Sequence, residues 1–242
     1  MDKTVNALRT LLNLLYQEQA RDWSPQRRGW STRHSRRKIS SKAQQVRERE
    51  YWTPVREREL EEWLSASDEL VVNFSREKKV LYLPPLEKDA EFVPILSLEC
   101  NLDETRTSII LRVMLVRQEK VGKELHGIGF RLESPECENQ PRDKNEDMGK
   151  KKINGRHDFY HAQLLRGFDW GPPVKNLTWL PCSQPSFPLL ANCPITLIFS
   201  LLLTLYGKKY CWEFYTRHSL HLHDMKQYME KLQPWINWKD WK

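Results

Sequence analysis

The sequence predicts an α+β fold, and three observations carry the prediction. Apolar residues recur at helical spacing over residues 4–20. From residue 69 to 165 the period shortens to two. After a Pro-rich stretch, a nearly continuous apolar run from Ile195 to Tyr206 returns to helix. The expected architecture is an antiparallel meander of five to six strands, with N-terminal helices before it and a C-terminal helical layer against one sheet face. The expected division of the chain is an amphipathic helix at 1–20, a basic arm or linker at 21–52, and a single α+β domain at 53–242.

The first helix follows from Val5, Leu8, Leu11, Leu12 and Leu15 on one face. Thr53-Pro54 has the form of an N-cap followed by Pro at the first helical position, opening a short acidic helix that places Val55, Leu60, Trp63 and Leu64 on one side. Glu69–Phe74 and Lys79–Leu83 flank Ser-Arg-Glu-Lys and read as a hairpin-like pair. Phe92–Asn101 and Thr107–Arg117 form a second pair. Leu125–Glu133 alternates as a half-buried strand, and Arg156–Leu165 as another. Between them, residues 135–156 carry five acidic and six basic groups with little that is apolar, which predicts a disordered surface excursion. The six prolines between 170 and 194 argue against helix and strand alike, yet Trp170, Trp179, Leu180 and Phe187 suit a loop packed on the body. Asn192 as cap and Gly207 as stop bound the apolar helix. Tyr210–His218 and Asp224–Leu232 read as further helical segments, and Trp235, Trp238 and Trp241 stand three apart in the tail.

Charge is the most informative global property. The formal net charge is +7, but residues 21–49 alone hold ten basic groups against two acidic ones, and residues 50–69 hold seven acidic groups against two basic ones. The rest of the body is close to neutral. Nine Gly and fourteen Pro exclude a collagen-like chain, and 39% hydrophobic residues exclude wholesale disorder. Five Cys with no CxxC spacing do not suggest a disulfide framework. The N-terminal residues lack the pattern of a secretory signal, and the Ile195–Tyr206 run is too short to span a bilayer. These features predict a soluble, intracellular, cytoplasmic protein with no membrane association.

The basic segment is the leading functional candidate. Phosphate neutralisation needs clustered Lys and Arg, and stacking on bases needs aromatic rings among them. Arg27, Arg28, Arg33, Arg36, Arg37 and Lys38 are assigned to phosphates, and Trp23 and Trp30 to bases, so DNA or RNA is the expected partner of residues 21–49. The acidic helix after the arm is placed to hold it until a polyanion competes. An acidic protein surface is the other partner such a segment suits.

Three further clusters carry chemistry in principle. His157 and His161 share a face if residues 156–165 form a strand, and His126 on the preceding strand approaches them if the two strands pair; imidazoles so grouped suit zinc or acid–base work. His218, His221 and His223 lie close together and read as a polar loop. Cys182 sits in a loop between the meander and the core helix, where a nucleophilic thiolate has access. That element order resembles the layout of ubiquitin-conjugating folds, although the His-Pro-Asn those enzymes carry before their cysteine is absent. His126-Gly-Ile-Gly129 opens no helix and is read as a hairpin turn rather than a nucleotide-binding loop. No cofactor-binding motif, metal-ligand spacing or nucleophile elbow is present. The expected function is a non-enzymatic nucleic-acid-binding or adaptor subunit of a larger assembly, with a protein partner. The alternatives are a small enzyme using a His126/His157/His161 face or a Cys182 nucleophile, and a protein–protein interaction module.

Overall fold

Two long antiparallel strands organise the molecule. In the computed structural model the described residues are 3–23, 46, 51–65, 70–84, 86, 91–102, 106–118, 124–134, 137–138, 160–165, 167–176, 186–189, 191 and 193–218. Their elements run in the order α1 (Lys3–Trp23), β1 (Thr53–Pro54), α2 (Glu57–Leu64), β2 (Leu70–Asn73), β3 (Lys79–Tyr82), β4 (Val93–Leu102), β5 (Arg106–Gln118), β6 (Leu125–Glu133), β7 (Cys137–Glu138), β8 (His161–Leu165), β9 (Val174–Asn176), β10 (Ser186–Pro188) and α3 (Pro194–Arg217). The fold is α+β with one mixed sheet. β4 pairs β5 from Val93↔Val116 to Leu102↔Thr107, and the path continues through β6 and β8 to β10.

The antiparallel meander is therefore part of a larger sheet, and several expectations change in detail. β2 and β3 do not pair with each other as a hairpin. Both run antiparallel to β4, β2 from Leu70↔Leu102 to Asn73↔Glu99 and β3 at Leu81↔Leu96 and Tyr82↔Ile95, so they lie end to end along one edge. Between them the chain pinches out and returns. Lys79 N donates to Phe74 O at 2.8 Å, Arg76 N donates to Asn73 Oδ1 at 2.8 Å, and Lys78 takes a positive φ of 54°.

Thr53-Pro54 is an edge strand rather than a helix start. It pairs parallel with β3, and Val55 N donates to Val80 O at 2.9 Å. A proline is tolerated at such an edge because it needs to supply no ladder donor. α2 begins after Arg56, whose backbone N–H donates to Glu59 Oε2 at 3.0 Å.

Short strands fill edges that the long ones leave open. β8 covers only Gly129–Glu133 of β6, and the remaining Leu125–Gly127 edge takes β9 in parallel. The Arg106-Thr107 end of β5 extends past β6 and takes β7. The 135–156 excursion thus contributes a paired dipeptide, and the Pro-rich segment contributes two short strands. The rest of that excursion, and residues 224–242, lie outside the described residues.

The helices cover one sheet face. Leu8, Leu11, Leu12 and Leu15 of α1 are buried with Val72, Phe74, Leu98, Leu111 and Val113 of the sheet and with Ile195, Phe199 and Leu202 of α3. Each fully buried aliphatic of this kind contributes about 1.5–3 kcal/mol. α3 caps on Cys193, whose N–H donates to Thr196 Oγ1 at 3.1 Å. It does not stop at Gly207. The chain kinks there (φ 73°, ψ 178°) and resumes to Arg217, burying Tyr210, Cys211 and Phe214. No helix among the described residues is long and apolar enough to cross a membrane.

Candidate functional site

Of the arm residues, Trp23 closes α1, so the helix runs three residues further than expected. Arg27, Arg28, Trp30, Arg33, Arg36, Arg37 and Lys38 lie outside the described residues, as do His157, Cys182, His221 and His223. Both flanks of the arm are anchored. Before it, α1 is buried to Glu18; at its far end Val46 is fully buried and Trp52 nearly so.

The histidines separate. β6 and β8 do pair, but the register sets His161 opposite Glu133 and His126 opposite Arg117 of β5. His126 and Glu133 are seven residues apart on one strand, and at about 3.4 Å per residue the two imidazoles lie at opposite ends of it. His126 Nε2 is 3.6 Å from Glu124 Oε2, and His161 Nε2 is 2.8 Å from Glu133 Oε1. Among the described residues no three His, Cys, Asp or Glu side chains group to hold a metal ion.

His161 belongs instead to a charge ladder on the outer sheet face. Ser97, Arg112, Arg131 and Gln163 align in one cross-strand row, and Glu99, Glu133 and His161 flank them in the next. Arg112 pairs with Glu99 and donates to Ser75 Oγ at 3.1 Å, while Arg131 pairs with Glu133. Alternate cations and carboxylates on adjacent strands neutralise each other, which suits a half-buried face.

A second polar group, not anticipated from sequence, joins α1 to the end of α3. Glu18 is buried on α1. Arg217 Nη1 donates to both of its carboxylate oxygens at 2.6 and 2.7 Å, and His218 Nε2 lies 2.9 Å from Oε1. His218 is thus engaged by an acid on a helix 200 residues away. Burial pushes the Cys100 and Cys211 thiols up to about 12, so both stay protonated and unreactive at neutral pH.

The remaining feature is aromatic. Where the arm rejoins the body, Tyr51 and Trp52 meet Phe168 and Trp170 on the outer sheet face. Phe168 and Trp170 stack at 4.9 Å and 10°, and Trp52 stands edge-on to Phe168 at 6.3 Å and 88°. Tyr51 meets Trp52 edge-on at 6.2 Å. Trp52 is buried over Val80, Tyr82, Val93 and Ile95, whereas Tyr51, Phe168 and Trp170 remain partly exposed. Only Trp170 of this group stood out in the sequence, as an apolar residue in a Pro-rich loop; the pairing of β9 with β6 is what brings it to residue 52.

Comparison with protein-family models, with curated proteins and with solved structures finds no match to this chain.

Proposed function

We propose that the chain is a non-enzymatic nucleic-acid-binding subunit that uses the basic segment 21–49 to engage phosphates, within a larger assembly. The observation that carries this reading is the concentration of charge: ten cations against two acids in that segment, beside a body that is close to neutral. A polyanion is the partner that gains most from such a cluster, because each phosphate contact releases condensed counterions. Anchorage at both flanks supports the reading, since an arm tied to a rigid body loses less entropy on docking than a free tail. α2 follows directly and exposes Glu57, Glu61 and Glu62, a local acidic surface suited to competing for the arm. A protein partner within the assembly belongs to the same proposal.

Fluorescence anisotropy at several salt concentrations tests it. With about five phosphate contacts, log affinity falls against log salt with a slope near −4. Replacing Arg27, Arg28, Arg36 and Arg37 by Ala flattens that slope and weakens binding to every sequence alike, because phosphate contacts position without reading bases. Undetectable binding to both DNA and RNA at low salt refutes the reading and leaves an acidic protein surface as the arm's target.

A further inference from the structure

We propose that Tyr51, Phe168 and Trp170 form a stacking platform for unpaired bases, so that the chain prefers single-stranded over duplex nucleic acid. This rests on the arm reading above and adds to it the class of nucleic acid and a second contact surface on the body.

Placement comes first. Tyr51 stands two residues beyond Arg49, the last cation of the arm, so a strand drawn in by the arm's phosphate contacts arrives beside the platform. The cluster then divides its labour. Trp52 is buried and fixed, with Tyr82 Oη donating to its carbonyl at 3.1 Å. The other three rings are only partly covered. Partly exposed rings that already stand stacked or edge-on are laid out as a base needs them, because each base offers a π-face whatever its identity.

Rigidity is the second argument. Residues 167–173 lie between two pairings with β6, Leu165↔Gly129 and Val174↔Leu125. Among them, Gly171 adopts a φ of 88° and lies against the Trp52 indole. A platform held this way needs little ordering when a base arrives, and preorganisation of this kind is where affinity is gained.

The chemistry of the rings is the third. The indole nitrogen of Trp170 is covered and has no acceptor among the described residues, so Trp170 offers a docking base its ring face and no hydrogen-bond donor. The nearby exposed charges are Asp169 in the loop and Lys175 on β9, the latter 4.0 Å from the exposed Glu124, so the platform itself supplies no cationic field. The platform therefore adds selectivity for unpaired bases, while the arm supplies the salt-dependent affinity.

The full chain is titrated against labelled oligouridylate, oligothymidylate and a duplex of equal length. Phe168→Leu and Trp170→Leu are each expected to weaken binding to both single strands by about five- to 150-fold, the range for losing one stacked base. Duplex affinity and the salt slope should stay as in the unmodified chain. Because either variant can fail to fold, the unmodified chain is also photo-cross-linked to a bromouracil-substituted single strand. Attachment at Tyr51, Phe168 or Trp170 is expected. Cross-links confined to residues 21–49, or equal losses on single strand and duplex, overturn the platform and leave the arm reading standing. Absence of any binding by the unmodified chain overturns both.

Discussion

Gly171 offers the sharpest structural test of the aromatic cluster. A Cβ built on it would lie 2.5 Å from Trp52 Nε1 and 2.9 Å from Trp52 Cδ1, and its φ is 88°. Two costs therefore meet in Gly171→Ala. The left-handed backbone costs an L-residue about 1–2 kcal/mol. Pressing a methyl into a buried indole, which has no room to swing away, adds about 1–3 kcal/mol of overpacking. The sum is about 2–5 kcal/mol, which in a chain of this size lowers Tm by about 4–20 °C. Two other glycines serve as internal controls. Gly207 also has a positive φ (73°) but nothing within 4 Å of its would-be Cβ, so Gly207→Ala shows the backbone cost alone, about 1–3 kcal/mol. Gly167 has neither feature, and Gly167→Ala should stay within about 0.5 kcal/mol of the unmodified chain or gain slightly from a less flexible unfolded state. Urea denaturation and calorimetry measure all three. Combining Gly171→Ala with Trp52→Phe removes the crowded indole nitrogen, and the pair should cost less than the sum of the singles by about 0.5–3 kcal/mol. A Gly171→Ala cost below about 1 kcal/mol, or strict additivity of Gly171→Ala with Trp52→Phe, would falsify the packing described for this cluster.

Three further outcomes follow from single contacts. Arg217→Ala leaves the buried Glu18 carboxylate with His218 and without its guanidinium, and should cost about 2–3 kcal/mol in urea melts, less than the roughly 3–5 kcal/mol of a fully buried pair because the Arg217 side chain is 33% exposed; an unchanged midpoint would show that the two helices do not depend on this clamp. Cys100 and Cys211, with thiols raised by burial to about 12, should react with an aromatic disulfide reagent only as fast as the chain unfolds, and peptide mapping that finds either one labelled rapidly in native buffer contradicts their burial. The Glu59 carboxyl is pushed up by burial, but the hydrogen bonds from Lys79 and the Arg56 backbone and the charges of the same two residues outweigh that and hold it below 4.5. A depressed carboxyl stabilises the fold above its unfolded value and loses that contribution as pH falls through the folded one, so the unmodified chain should lose more stability than Lys79→Met on acidification through about pH 5 to 3, and parallel pH profiles would rule the pair out.

Long elements were legible in the sequence because their burial is extensive. Val5 to Leu15 of α1 and Leu125 to Glu133 of β6 follow their periods, while Val93 to Leu98 of β4 and Ile195 to Phe199 of α3 are buried without interruption and show as nearly continuous apolar runs. What the period does not encode is which edge a segment joins. Ser75 to Lys78 between two alternating runs has the look of a hairpin turn, yet both runs face the same strand, β4. The inward residues on the two sides of the pinch keep one direction, Leu70, Val72 and Phe74 and then Leu81 and Leu83. The two- and three-residue strands β1, β7, β9 and β10 are too short to show any period; open edges of longer strands select them. The Glu18 clamp and the aromatic cluster depend on contacts across 199 and more than 110 residues respectively, so no local pattern signals them.

The outer sheet face explains why the arm's root sits where it does. One cross-strand row, Ile95, Met114, Gly129 and Leu165, is apolar; the next, Ser97, Arg112, Arg131 and Gln163, is polar or charged. Moving two residues along each strand thus switches the face from one chemistry to the other. At the charged end, Glu99 and Glu133 balance the two arginines within the sheet, Glu133 also holding His161, and no cover is required there. At the apolar end, Val80, Tyr82, Val93, Ile95, Met114 and Val116 lie under a lid to which α1, α2 and α3 contribute nothing. Among the described residues, Trp52, the 168–170 loop and the fully buried Val46 form it. Gly129, read from sequence as part of a turn, lies within β6 because Met114 and the Leu165 side chain take up the space its own side chain would fill. The residue that ends the arm therefore lies at the apolar end, where Trp52 is buried in one cluster with Val80, Tyr82, Val93 and Ile95 and each Å² of buried apolar surface contributes about 25 cal/mol. The sheet's demand for cover fixes the arm's exit beside the only partly exposed stacked rings described on this face, and so joins the proposed phosphate-binding and base-stacking surfaces in one place.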